Sequence, residues 1–100
     1  MPLLHHVMTP EGWVRFQERG TSEQSTRDLT LAEEGFIHCS YEEQLEGTLR
    51  RFYADLPEVV VLTLDPDRID AEVKVEGGFP HVYGPLPIEA VVEATPRAPG

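Results

Sequence analysis

Gly35-Phe36-Ile37-His38-Cys39-Ser40, running on into Tyr41-Glu42-Glu43-Gln44-Leu45, is the stretch whose reading decides the fold. The first six residues form a short apolar run of strand character, and Ser40 with Glu43 three residues later reads as a capping box, so a strand passes directly into a helix. In an extended chain the side chains alternate faces, which puts Phe36, His38 and Ser40 on one side and Ile37 and Cys39 on the other. His38 and Cys39 therefore do not serve one site, and Cys39 reads as a core residue. Beyond the cap, Tyr41, Leu45, Thr48, Leu49 and Phe52 recur at helical spacing as a buried stripe, with Glu42, Glu46, Arg50 and Arg51 outside. Pro57 stops that helix beforehand.

Two further segments repeat the pattern of a histidine inside an apolar run. Leu3-Leu4-His5-His6-Val7-Met8 opens the chain as a strand on which only one of His5 and His6 can face a given side. Phe79-Pro80-His81-Val82-Tyr83-Gly84, if extended, brings Phe79, His81 and Tyr83 to one face. All four histidines lie in these three segments.

Between them, Thr9 caps a helix with Pro10 at its first position and Glu11 in its first turn; Trp13 and Phe16 pin it to the core and Gly20 ends it. Residues 21–30 lack apolar periodicity and read as a long loop, a lid over a site or a disordered segment. Leu29, Leu31 and Ala32 are expected to return the chain to the core. Val59-Val60-Val61-Leu62 is an uninterrupted apolar run, the mark of a strand buried on both faces. Asp65-Pro66-Asp67-Arg68 is a turn, and residues 71–76 alternate Ala71, Val73 and Val75 with Glu72, Lys74 and Glu76 as a half-buried strand. Gly77-Gly78 then turns tightly into the Phe79 segment. Pro85 and Pro87 interrupt pairing, and residues 88–94 form a last strand. The sum is five or six short strands and two helices, an α+β pattern: one domain over residues 1–95 and a flexible tail over 96–100.

Of the 100 residues, 40% are apolar, enough for one modest core. No run reaches the length of a membrane span and no signal peptide is visible, so the expected compartment is the cytoplasm. The lone cysteine excludes an intrachain disulfide. Eighteen acidic residues against eight basic ones give a net charge of −10, which repels phosphate backbones and argues against a nucleic-acid partner. No phosphate-loop or dinucleotide glycine fingerprint is present.

The histidines admit three readings: buried rings satisfied by the backbone, a three-histidine metal site drawn from His5 or His6 with His38 and His81, or a set that binds and polarises an organic ligand. The third needs no metal spacing, and it gives Tyr83 a ring to stack and Glu76 a carboxylate role. The alternation of residues 71–76 puts Glu76 with Glu72 and Lys74 on the apparent solvent face, which favours a binding role over catalysis.

Glu34-Gly35-Phe36-Ile37-His38-Cys39-Ser40 with Gln44 four residues on, together with Phe79-Pro80-His81-Val82-Tyr83-Gly84-Pro85-Leu86 and a His6 seven residues before Trp13, resembles the small bacterial domain-of-unknown-function family 952. The resemblance runs from about residue 4 to residue 93. It implies a likeness to the ADP-ribosyltransferase superfamily, including its RNA 2′-phosphotransferase branch: a split, curved antiparallel sheet with peripheral helices, and NAD in the cleft between the sheet halves. It further implies that His6 takes the first-strand role on ribose or phosphate, that His38, with Ser40 on its face, lies against the nicotinamide, and that His81 with Tyr83 sits on the later strand. Glu76 is the nearest match to the superfamily's late glutamate, outside any recognised pattern. The expected catalytic set is thus His6, His38, His81 and Glu76, with Phe36, Ser40 and Tyr83 as ligand contacts. NAD would be a substrate, and no metal is expected. The alternatives are a non-catalytic module for a small metabolite or a protein, and the three-histidine metal site.

Overall fold

The computed structural model describes residues 2–27 and 29–99. Asp28, within the expected loop, and Gly100, in the expected tail, lie outside the described residues.

The strand β4 (Val59–Leu64) organises the fold. It lies between β1 (Leu4–Met8) and β8 (Val91–Arg97), antiparallel to both. Its apolar run is buried on both faces, as its composition requires. Val59 and Val61 join Val7 against Leu45 and Leu49 of the preceding helix and Tyr53 just beyond its end, while Val60, Leu62 and Leu64 join Leu4, Met8, Phe16, Ile37, Val82 and Leu86 in the larger core. Each such buried aliphatic side chain contributes about 1.5–3 kcal/mol.

The helix α1 (Pro10–Arg19) begins and ends as expected: Thr9 Oγ1 accepts from Gly12 N at 3.1 Å, and Gly20 adopts the left-handed φ of 76° that closes it. Phe16 is buried and Trp13 meets it edge-on at 5.8 Å. The segment after it is built rather than featureless. The two-residue strand β2 (Thr21–Ser22) pairs with β7 (Leu86–Pro87), Gln24 bridges to Thr30, and Ser25 Oγ donates to the Phe36 carbonyl at 2.5 Å. A four-residue helix α2 (Leu31–Glu34) follows, capped by Thr30. Of the three residues expected to re-enter the core here, Leu31 packs against it, whereas Leu29, ahead of the cap, and Ala32, on the outer side of the single helical turn, stay exposed.

The second sheet orders β3 (Ile37–His38), β6 (Phe79–Val82) and β5 (Val73–Glu76), all antiparallel. It meets the first at a bridge in which the backbones of His5 and Ser40 exchange two 2.8 Å hydrogen bonds. Those bonds also correct the expected cap. Ser40 is still in strand pairing, so α3 (Glu42–Phe52) starts later: Tyr41 is the cap residue and its N–H donates to Gln44 Oε1 at 2.9 Å. The buried stripe of α3 is Leu45, Leu49 and then Tyr53 just beyond it, each four residues apart; Phe52, expected inside, is 59% exposed.

Gly77 and Gly78, at φ of 60° and 85°, form the turn between β5 and β6. β5 is an edge strand, and Val75, expected to be half-buried, is 58% exposed. The last strand starts and ends later than its apolar run suggested. Residues 88–90 form a 3₁₀ turn, and β8 continues through Pro96 and Arg97, which pair with Val60 and Val59. Arg97 also reaches Glu46 on α3 at 2.5 Å, so the first two residues of the expected tail are anchored in the sheet.

Candidate functional site

Strand alternation and register place the site on one face of the β3–β6–β5 sheet. His81 lies opposite His38 on one side and Lys74 on the other, a row of three across the face. The alternate residues Ile37, Val82 and Pro80 turn inward and are buried, which leaves the row on the outer face. Phe36 and Tyr83 extend it toward one end, and Glu76, opposite Phe79, toward the other. Phe36 stacks on the His81 ring at 4.0 Å and 17°, meets His38 at 4.7 Å and reaches Tyr83 at 5.4 Å. The two imidazoles meet edge to face at 5.1 Å.

Each imidazole is oriented by a carboxylate. His81 Nδ1 donates to Glu76 Oε1 at 2.8 Å, and His38 Nε2 donates to Glu34 Oε1 at 3.1 Å. A carboxylate only accepts, so the proton sits on those nitrogens, and the other ring nitrogen of each is left without a partner among the described residues. Glu76 also accepts from the Tyr83 hydroxyl. That bond, then the one from His81, holds the Glu76 carboxyl below its ordinary value, while Glu76 in return pushes the Tyr83 phenol up. Lys74 lies 5.0 Å over the Tyr83 ring. Gln44, from the opening motif, fixes the frame: its side chain caps α3 and donates to the Gly78 carbonyl at 2.7 Å, tying the helix to the β5–β6 turn.

Of the expected site residues, Phe36, His38, His81, Tyr83 and Glu76 thus come together. Glu76 does share the outer face with Glu72 and Lys74, and that face is the one that carries the histidines. Two residues do not join it. Ser40, which alternation put beside His38, is buried with its hydroxyl 2.9 Å from Thr48 Oγ1 on α3, because the chain leaves the sheet there to enter the helix. His6 is 2% exposed beneath the site, where Nδ1 donates to the His38 carbonyl at 2.7 Å and Nε2, toward the Gln24 carbonyl, completes no hydrogen bond of ordinary geometry among the described residues. It faces the larger core, as alternation with Leu4 and Met8 dictates, and His5 takes the opposite side, 3.4 Å from Thr63 Oγ1. His6 therefore positions the backbone that carries His38 rather than presenting a ring to solvent. Burial pushes its pKa below the ordinary value.

Cys39 is buried in the core and its thiol is pushed up to about 12 by desolvation, which removes it as a nucleophile. Among the described residues no three His, Cys, Asp or Glu side chains gather as a ligand set for a metal.

Sequence reasoning gave no role to Glu34 or Lys74. Lys74 was within reach of it, since it shares parity with Glu76 on β5, whereas Glu34 is the last residue of α2 and lies outside the strand alternation.

The fold and site define a small α+β protein with antiparallel sheets, few helices and a carboxylate-braced histidine pair on a sheet face. Residues 7–94 match the family described as "Protein of unknown function (DUF952)", and the chain belongs to that family. Its fold is similar to that of the protein CC0527 from Caulobacter crescentus. The crystal structure of CC0527 aligns with a TM-score of 0.78 at 24% identity, covering 94% of this chain and 84% of that one. The solution NMR structure of CC0527 aligns with a TM-score of 0.72 at 25% identity, covering 95% and 84%. No curated protein matches. Among the described residues no helix is long and apolar enough to cross a membrane.

Proposed function

We propose that the histidine face binds NAD or another ADP-ribosyl compound, with the nicotinamide-ribose end against Glu76. The observation that carries this reading is the Glu76 carboxylate, hydrogen-bonded by both His81 and Tyr83 beside the stacked rings of Phe36 and His81. An ionised carboxylate next to aromatic faces suits a flat cationic ring such as nicotinamide, and it would stabilise an oxocarbenium ion at ribose C1′. The free nitrogens of His38 and His81 suit ribose hydroxyls. Two three-stranded sheets meet at the His5–Ser40 bridge, and this supports the reading to the extent that a split sheet is what a likeness to the ADP-ribosyltransferase superfamily implies. In such a reaction the bond from C1′ to the nicotinamide nitrogen breaks, its electron pair leaves with neutral nicotinamide, and an acceptor captures the cation. The net charge of −10 disfavours a long RNA as that acceptor.

A second reading, a non-catalytic binding module on the same face, is favoured by the openness of the surface: the Glu76 side chain is 45% exposed and Phe79 is 37% exposed. Calorimetric titration with NAD and with ADP-ribose, on wild type and His38→Ala, tests the first reading. Binding lost in the variant and accompanied by nicotinamide release supports an enzyme; binding without release supports the module. No heat at about millimolar ligand overturns the NAD reading.

A further inference from the structure

A recess of about 400 Å³ lies between one side of α1 and residues of the segment that follows it, from Thr21 to Ala32, and no residue of the histidine face lines it. Its size is that of a small-molecule site. Its charge is unlike that of the molecule. The chain carries only eight basic residues against eighteen acidic ones, yet three arginines, Arg15, Arg19 and Arg27, line this one recess, with Glu23 as its one carboxylate among the described residues.

Arg27 is engaged, gripping Asp55 through two 2.7 Å hydrogen bonds. Arg15 and Arg19 are different. They stand one helical turn apart, where like charges repel, and neither makes a hydrogen bond or ion pair among the described residues, although Glu11 stands a turn before Arg15 and Glu18 beside Arg19. Favourable placement of Arg19 in the last turn of α1 accounts for one charge but not for the pair. The hydroxyl-bearing residues Thr21, Ser22 and Thr26 line the same recess. Ser22 Oγ accepts from Gln24 N at 3.2 Å and so keeps its own proton to give, and the hydroxyls of Thr21 and Thr26 make no hydrogen bond among the described residues.

We propose that this recess is an oxyanion subsite, taking the phosphate or diphosphate group of a small molecule between the Arg15 and Arg19 guanidinium groups and the hydroxyls of Thr21, Ser22 and Thr26. Guanidinium forks match phosphate oxygens bidentately, and a bound anion relieves the repulsion of the two arginines. The proposal stands apart from the histidine-face reading, and its probe is inorganic pyrophosphate, which has no nicotinamide end.

The test is a titration of ¹⁵N-labelled protein with pyrophosphate, against sodium chloride of equal ionic strength, on wild type, on Arg15→Gln/Arg19→Gln and on Arg50→Gln/Arg51→Gln, which removes the same charge from α3. The expected result is saturable amide shifts confined to α1 and residues 21–32, weakened at least about tenfold in the first variant and unchanged in the second. Absence of saturation to about 20 mM overturns the proposal, and so do shifts that survive loss of Arg15 and Arg19, or an equal loss in both variants, since the last would mark net charge alone as the cause. All four substituted side chains are exposed, so the fold is retained, as the dispersion of the same spectra will show. Failure with pyrophosphate leaves the histidine-face reading standing, and failure of NAD to bind leaves this one standing.

Discussion

The buried His6 makes the stability of the protein depend on pH in a window where most of its charges are silent. Burial, the largest cause, holds the ring neutral below its ordinary value of 6.5; the His38 and Gln24 carbonyls oppose this and the nearby His38 ring adds to it. In the unfolded chain the same ring takes up a proton near pH 6.5. Between that value and the depressed folded one, the unfolded state binds more protons, so stability is full above about pH 6.5 and falls as pH drops. If the folded ring stays neutral throughout, the loss reaches about 1.4 kcal/mol at about pH 5.5, with a limiting slope of about 1.4 kcal/mol per pH unit. The carboxylates held below their ordinary values, Glu33, Asp55 and Glu76, release their contributions only at lower pH, since those ordinary values are 4.5, 3.8 and 4.5. The assay is urea unfolding from about pH 8 to about pH 5 on wild type and on His6→Asn, whose amide donates to the His38 carbonyl but does not titrate. The variant is less stable at pH 8, by about 1–3 kcal/mol for the lost packing, and its profile across the window is flatter by the amount above. Parallel profiles would refute the assignment of the effect to His6.

Other outcomes follow from packing and burial. A Cβ on Gly84 would lie 2.6 Å from Ala71 Cβ, so Gly84→Ala costs about 1–3 kcal/mol by chemical denaturation, and the added change Ala71→Gly recovers part of it. Tyr53→Ala loses about 3 kcal/mol or more, whereas Phe52→Ala stays within about 0.5 kcal/mol; the reverse order would return the inner face of α3 to Phe52. Cys39, buried and pushed up to about 12, reacts with a thiol reagent at pH 8 only as fast as the molecule opens, so a fast reaction of native protein would contradict its place in the core.

How far the sequence could be read depended on which physical signal a residue obeys. The caps of α1, the glycine turn between β5 and β6 and the double-sided burial of β4 are local or compositional properties, and all were legible. Alternation correctly put Phe36 beside His38 and His81 beside Tyr83, and the register of β3 against β6, which no local pattern gives, brings the two pairs together. Alternation failed at Ser40, where pairing with His5 ends and the chain bends into α3, a long-range event that no local pattern signals. Phe52 and Tyr53 were exchanged for a related reason: the apolar spacing of α3 continues into the residue after the helix, outside the window a helical pattern invites. The carboxylate that orients His38 was hidden because Glu34 precedes the strand, across a left-handed Gly35. The recess beside α1 joins residues of a helix and a segment without periodicity, so only the folded chain reveals it.

The central claim concerns the histidine face, and the most direct measurement follows the ring carbons of His38 and His81 by ¹H–¹³C NMR as NAD is added to chelator-treated protein. The account predicts saturable shifts at both rings, with little change at His5 on the far side of the first sheet, and their loss in Glu76→Gln. Rings that do not respond to about 10 mM NAD, or a response confined to His5, would contradict it.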